Sequence, residues 1–436
     1  MMRKLLLIVA GVFVVCALAA AVFLGAFEKS VVAGDIDEPL TADAMATLAK
    51  RGAYVAVAAD CFACHTAKGG APFAGGLPFE TPFGTIYSTN ISPDKETGIG
   101  AWTRAQFHRA LRDGVGPNGH LYPAMPYASY RKMTPADVDA VYAYLMTREP
   151  MNVANKANAL SFPFNIRQGL TFWNLVNLPA DAGTENPERS AVWNRGRYLT
   201  DALAHCGECH TPRNALQGLD QAAYLEGADI EGVHAPDITK AGLERMGFGP
   251  WVLSTFMKSG LSAQGGMTGQ MFEVVHFSTQ YMTTDDLDAL SAYLFDLDDL
   301  PADKASPDVS KPAAVDAELS AAAKPTYLAL CSGCHGVEGQ GIPHVVVPLS
   351  TNASLRLTSA RNLIRVVLDG IPAQRFPGLE RMQPMPGFAT DLTDLQVADL
   401  VNWLRRKWGG QDVDIRPEEV GRLRHDLEAA SADTGK

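Results

Sequence analysis

At 436 residues, with 47% hydrophobic and 19% charged side chains, the chain is long enough to bury globular cores without cross-links. Its net charge of −11 argues against a nucleic-acid partner. Of its seven cysteines, six fall in three copies of a single short pattern.

The chain opens with MMRKLLLIVAGVFVVCALAAAVFLGAFEKS. Arg3 and Lys4 precede an uncharged run from Leu5 to Phe27, which as a helix would cross roughly 30 Å of hydrocarbon. A retained membrane anchor is the favoured reading of residues 1–30. A secretory signal competes, because Ala17-Leu18-Ala19 resembles a small-residue cleavage site. On either reading the basic end stays cytoplasmic and the bulk of the chain is exported. Cys16 reads as a buried thiol of the apolar helix rather than a lipid attachment site.

The first cysteine pair lies in CFACH (61–65), the second in CGECH (206–210) and the third in CSGCH (331–335). A disulfide framework would scatter cysteines at wide spacings. Zinc would need two further Cys or His ligands for each pair, and no second CxxC of matching spacing follows. A thioredoxin-like dithiol needs neither the trailing histidine nor triplication. Covalent haem attachment accounts for every position: two thiols form thioethers and the adjacent histidine binds iron. Residues i, i+3 and i+4 share one helical face, so Cys61, Cys64 and His65 reach one macrocycle; Cys206, Cys209 and His210, and Cys331, Cys334 and His335, do the same. The expected cofactors are three covalently bound c-type haems with their iron.

The motifs lie 145 and then 125 residues apart, with room for three small domains plus linkers. Three stretches align without gaps: TPADVDAVYAYL (134–145), TTDDLDALSAYL (283–294) and TDLQVADLVNWL (393–404). Each predicts a helix opening on threonine, with Asp137, Asp286 or Gln396 three residues on, a capping-box pattern in which aspartate shortens the usual glutamate. WTRAQFHRALRDG (102–114), WVLSTFMKSG (251–260) and, more faintly, LIRVVLDG (363–370) predict a second repeated helix ending on glycine. Tyr54, Tyr198 and Tyr327 precede the cysteines on a further helix in each copy. The organisation expected is an anchor or signal at 1–30, domains at 40–150, 189–300 and 321–410, a connector at 151–188, a linker at 301–320 and a polar tail at 411–436. The Pro- and Ala-rich stretch 301–325 is expected to let the third domain shift.

A six-coordinate haem needs a distal ligand, and methionine raises its potential. LYPAMPY places Met125, and MQPMPGF places Met385, on loops stiffened by flanking prolines before the final helix. The middle copy offers Met267, Met271 and Met282 without a nearby proline. Met271 lies 65 residues after its first cysteine, against 64 for Met125, and is preferred; Met267 is the main alternative and His276 a minor one. His120, His205 and His344 read as loop or surface residues.

The layout resembles a class I cytochrome c domain written three times: an all-α fold with an N-terminal transmembrane or signal helix. GGLPFETPFGTIYSTNISPDKETGIGAWT and LYPAMPYASYRKMT resemble the first domain of the triple-haem cytochrome c subunits of bacterial membrane-bound dehydrogenases. FPFNIRQGLTFWNLV (162–176) resembles their first connector, CGECHTPRN and APDIT (235–239) their second domain, and MPGFATDLTDLQVADLVNWLR their third. The resemblance spans roughly 45–410. It implies iron ligation by His65 and Met125, by His210 and Met271, and by His335 and Met385.

It further implies an electron-transfer subunit on the periplasmic side of a bacterial inner membrane. Such a subunit accepts electrons from a flavin, PQQ or molybdenum dehydrogenase and passes them to ubiquinone. Some members of that family are anchored through a C-terminal segment; here 411–436 is polar, which leaves the N-terminal run to do it. Two alternatives stay open: a donor to a terminal oxidase, and a haem enzyme such as a peroxidase, for which only the middle site has an uncertain distal ligand. The sequence carries no nucleotide-binding or hydrolase motif, and catalysis on substrate by this chain alone is not expected.

Overall fold

The computed structural model describes residues 38–434 except 181–182, 231, 310–312 and 413, with the backbone alone for 429–434, together with Gly11, Val15, Cys16 and Ile36. The expected anchor or signal at 1–30 therefore lies outside the described residues but for three positions. Among the described residues no helix is long and apolar enough to cross a membrane. Cys16, expected to be buried, is exposed, as is Val15 beside it, so these apolar side chains enter no protein core.

The chain divides into two compact units. One comprises 1–185 with 201–205 and 214–219; the other holds the remainder, including the second and third motifs. The fold is largely helical, with short antiparallel hairpins that an all-α expectation does not include.

In the first unit, helix Ala42–Ala58 starts at Thr41, whose hydroxyl accepts from Ala44 N, and packs on helix Pro135–Met146. Gly52 marks the closest approach: a Cβ there would stand 1.8 Å from Ala140 O. The second unit repeats the device with helices Ala191–Tyr198 and Thr284–Leu294, where a Cβ on Gly196 would stand 1.9 Å from Ala289 O. Ala317–Thr326 packs on Asp394–Lys407 as the third such pair, with Ala323 buried.

All three terminal helices carry the expected threonine cap. Thr134, Thr283 and Thr393 accept from the amides of Asp137, Asp286 and Gln396. The two aspartates also take the guanidinium of the residue preceding each contact glycine. Arg51 Nε lies 2.7 Å from Asp137 and Arg195 Nη2 2.7 Å from Asp286. A carboxylate that ties the helix pair together explains why these caps depart from glutamate.

The middle helices run Arg104–Asp113, Pro250–Ser259 and Arg361–Asp369, each ending at a glycine of positive φ: Gly114, Gly260 and Gly370. The faint third copy is thus a helix of the same kind. Its missing tryptophan is immaterial because Leu363, Ile364, Val367 and Leu368 bury its apolar face.

The connector after the first module is stitched down as a strand. Ala159–Leu160 pairs with Gly84–Tyr87, the centre strand beside Pro78–Thr81. The segment 411–436, expected as a polar tail, contains helix Pro417–Thr434. Val420 and Leu423 share one face and are buried against the third module, and Arg424 pairs with Asp394 at 2.9 Å. The sparse apolar stripe among charged residues concealed this packing.

Within the second unit, the second and third modules are bonded directly. Asn362 donates to His234 O at 2.7 Å and accepts from His234 N at 2.8 Å. Ala353 N donates to Gln264 O at 2.9 Å, and Arg365 to Gly232 O at 3.0 Å. The linker expected to let the third domain shift lies against both. Ser306 sits beside Gly249, the Val309 carbonyl accepts from Arg356, and Ala313 N donates to Lys407 O.

Candidate haem-binding site

The first motif forms the short helix Cys61–His65, entered from Asp60 in a left-handed conformation. Cys61, Cys64, His65 and Met125 all line one cavity of about 380 Å³. Its walls are apolar, with Ile86, Ile99, Phe107, Leu111, Val141 and Leu145 among them. Burial pushes the Cys61 thiol up to about 12, with the Asp60 charge adding to it. Cys331 is likewise raised, to about 11, by burial. A redox dithiol requires the opposite shift. Among the described residues no group of three His, Cys, Asp or Glu side chains is arranged to hold a metal ion.

Each motif histidine makes the same contact. His65 Nδ1 lies 2.7 Å from Thr89 O, His210 Nδ1 2.7 Å from Pro236 O, and His335 Nδ1 3.2 Å from Val347 O. A carbonyl only accepts, so Nδ1 carries the proton and the Nε2 lone pair is left for a metal. Burial lowers the pKa of all three imidazoles, with the carbonyl bond opposing it, so the neutral, ligating form is favoured.

Behind each pair stands a glycine that the motif spacing does not reveal. Gly75, Gly227 and Gly341 each donate N–H to the carbonyl of the motif histidine at 2.8 Å. All three have positive φ, and a Cβ on each would collide with the extended segment whose carbonyl orients the imidazole. For Gly75 the distance to the Thr89 carbonyl carbon would be 2.4 Å. The glycines follow their histidines at unequal separations, which hid them from any ungapped comparison. Gly75→Ala is expected to lower stability by about 2 kcal/mol or more, through left-handed strain and the clash. A urea titration of the haem-loaded protein checks this, and an unchanged midpoint would contradict it.

The hairpin after the middle helix sets the register of the methionines expected as distal ligands in the first two modules. In the first module Leu121 N donates to Gly114 O at 2.7 Å and closes hairpin Val115–Gly116/Gly119–His120. In the second, Met267 N donates to Gly260 O at 2.9 Å and closes Leu261–Ser262/Gly265–Gly266. Met267 therefore stands where Leu121 stands, a packing position, and is buried. Counted from the closing amide, Met271, four residues on, has the register of Met125, but it lies half-buried in helix Gln270–Phe277 where Met125 lies on a loop.

Met282 corresponds to Met133, directly before the cap threonine, and Leu392 takes that place in the third module. All three are buried, and the leucine marks the position as core. Met385 differs from Met125: it pairs with Ile371 at the hairpin closure itself, with N–O distances of 2.9 Å both ways. His120 is bonded to Thr171, His205 lies edge-on to Tyr130, and the exposed His344 pairs with Glu380, so none of them is placed as a ligand.

A cysteine pair and a neutral histidine on one short helix, with a methionine on the same apolar cavity, fit covalently attached haem and define a c-type cytochrome. The comparisons with known proteins agree. The cytochrome c family model matches residues 49–149 and 320–408. The gluconate 2-dehydrogenase cytochrome c subunit of Pantoea cypripedii is 38% identical over 87% of this chain and 90% of its own length. The fructose dehydrogenase cytochrome subunit of Gluconobacter japonicus is 36% identical over 89% and 85%. A nicotinate dehydrogenase subunit from Pseudomonas putida is 39% identical over 83% of this chain, which spans only 30% of that longer protein. The chain belongs to the cytochrome c family, alongside relatives named as cytochrome c subunits of bacterial dehydrogenases.

Proposed function

We propose that the chain is a tri-haem electron-transfer subunit, which takes electrons from a partner dehydrogenase acting on an alcohol, sugar or similar substrate and delivers them to ubiquinone at the periplasmic face of the inner membrane. The observation that carries the tri-haem count is the threefold recurrence of one unit: CxxCH, a histidine Nδ1 bonded to a carbonyl, and a glycine of positive φ bonded back to that histidine. Bound haem supplies one-electron chemistry at iron. The protein holds each proximal imidazole neutral, aims its Nε2, and surrounds the first site with apolar side chains that limit water. The dehydrogenase partner is supported by the names of the relatives, and the membrane by the apolar run from Leu5 to Phe27.

A pyridine haemochrome assay on protein matured by a cytochrome c system is expected to return three haems per chain; two or fewer would remove one site. The purified chain alone is expected to oxidise no alcohol, sugar or aldehyde, because haems of this type accept no hydride. With its cognate dehydrogenase present, substrate should reduce the haems and a ubiquinone analogue should reoxidise them. Substrate turnover by the isolated chain would overturn the proposal.

A further inference from the structure

We infer that the connector following the first module supplies the cationic wall that holds the two propionate groups of the first haem, through Lys156 and Arg167. The inference rests on the reading of Cys61, Cys64, His65 and Met125 as that haem's attachment. A haem carries two carboxylates on one edge, and a carboxylate at the mouth of an apolar cavity is stabilised by cationic partners. Apart from the neutral His65, the cavity is lined by two cationic side chains, and both lie on the connector, beyond the first stretch matched by the cytochrome c model at 49–149. Among the described residues neither has a carboxylate within ion-pair distance. Arg167 lies over the Tyr122 ring at 4.7 Å and gives one N–H to His120 O, which leaves further donors of its fork. The Lys156 ammonium lies 5.2 Å from the Tyr87 ring centre. Both residues are exposed, as side chains at a cavity mouth must be.

The connector is held firmly enough to act as a wall. Besides the strand pairing of Ala159–Leu160, Asn158 accepts from Tyr87 N at 3.0 Å and Asn155 from Asn90 N at 2.6 Å. Gly84 permits the approach, since a Cβ there would stand 2.1 Å from Ala159 O.

The test is a redox titration of the full, haem-loaded chain carrying Lys156→Gln and Arg167→Gln together. Loss of two cations beside an iron centre favours its ferric form. One haem is therefore expected to shift its one-electron equilibrium towards the oxidised state by up to about tenfold, ~59 mV. The shift should be smaller at high salt, which screens exposed charges. The charge-conserving pair Lys156→Arg and Arg167→Lys should titrate close to the parent. So should Arg148→Gln, which removes a cation that stacks on Tyr144 outside the cavity lining. Parent-like potentials in the double glutamine variant with all haems attached would overturn the inference, as would an equal shift in Arg148→Gln. The affected potential must also vanish from the titration of Cys61→Ala/Cys64→Ala. If it persists there, the assignment of the first haem fails rather than the role of the connector.

Discussion

Replacing Met271 with histidine should lower the potential of one haem on the order of 0.2 V, a fraction of the roughly 0.8 V that axial ligands span, while Met267→Leu leaves all potentials in place. The contrast follows from hydrogen-bond register. The amide of Met267 closes the hairpin onto Gly260 as the amide of Leu121 closes its own onto Gly114, and leucine at the latter position shows what that position is for. Met271 then has the register of Met125, four residues beyond the closing amide. A redox titration followed by absorbance reads the shift. The Met271→His variant should also lose its share of the weak methionine-to-iron band in the red. A potential shift with Met267→Leu and none with Met271→His would reverse the assignment.

A second large effect is expected from Cys61→Ala/Cys64→Ala. The first cavity measures about 380 Å³. At about 24 cal/mol per Å³ of unfilled cavity, leaving it without its prosthetic group costs on the order of 9 kcal/mol before the walls relax. Whole domains are stable by about 5–15 kcal/mol, so the first unit should lose its fold while the second keeps its own. Hydrogen exchange resolves the two. Amides of Ala42–Ala58 and Pro135–Met146 should exchange freely while those of Asp394–Lys407 stay protected, and the haem count should fall by one. Retained protection in the first two helices would contradict the estimate.

What could be read beforehand follows from what is local. A threonine cap with its partner three residues on, a glycine closing a helix and a CxxCH helix are each complete within a few residues, so Thr134, Gly114 and Cys61–His65 announce themselves. What joins distant segments stayed hidden. Gly75, Gly227 and Gly341 matter because each ties its motif histidine to the segment whose carbonyl orients the imidazole, and the loops between glycine and carbonyl differ in length. Asp137 looked like an imperfect cap because its second partner, Arg51, lies on another helix. Lys156 and Arg167 belong to a connector that, as sequence, carries no sign of bordering a cavity. Val420 and Leu423 are too few to mark an amphipathic helix until the surface they cover is known.

The reciprocal amide bonds of Asn362 with His234 and the strapped linker fix the second and third motifs in one body. For an electron, a fixed body is a tunnelling gap of constant width. Because tunnelling falls off exponentially with distance, a site that swung on its linker would transfer in bursts, at moments of closest approach. Here the step between the second and third sites should run at a single rate, set by driving force and reorganisation. Added glycerol, which slows diffusive motion, should leave it unchanged.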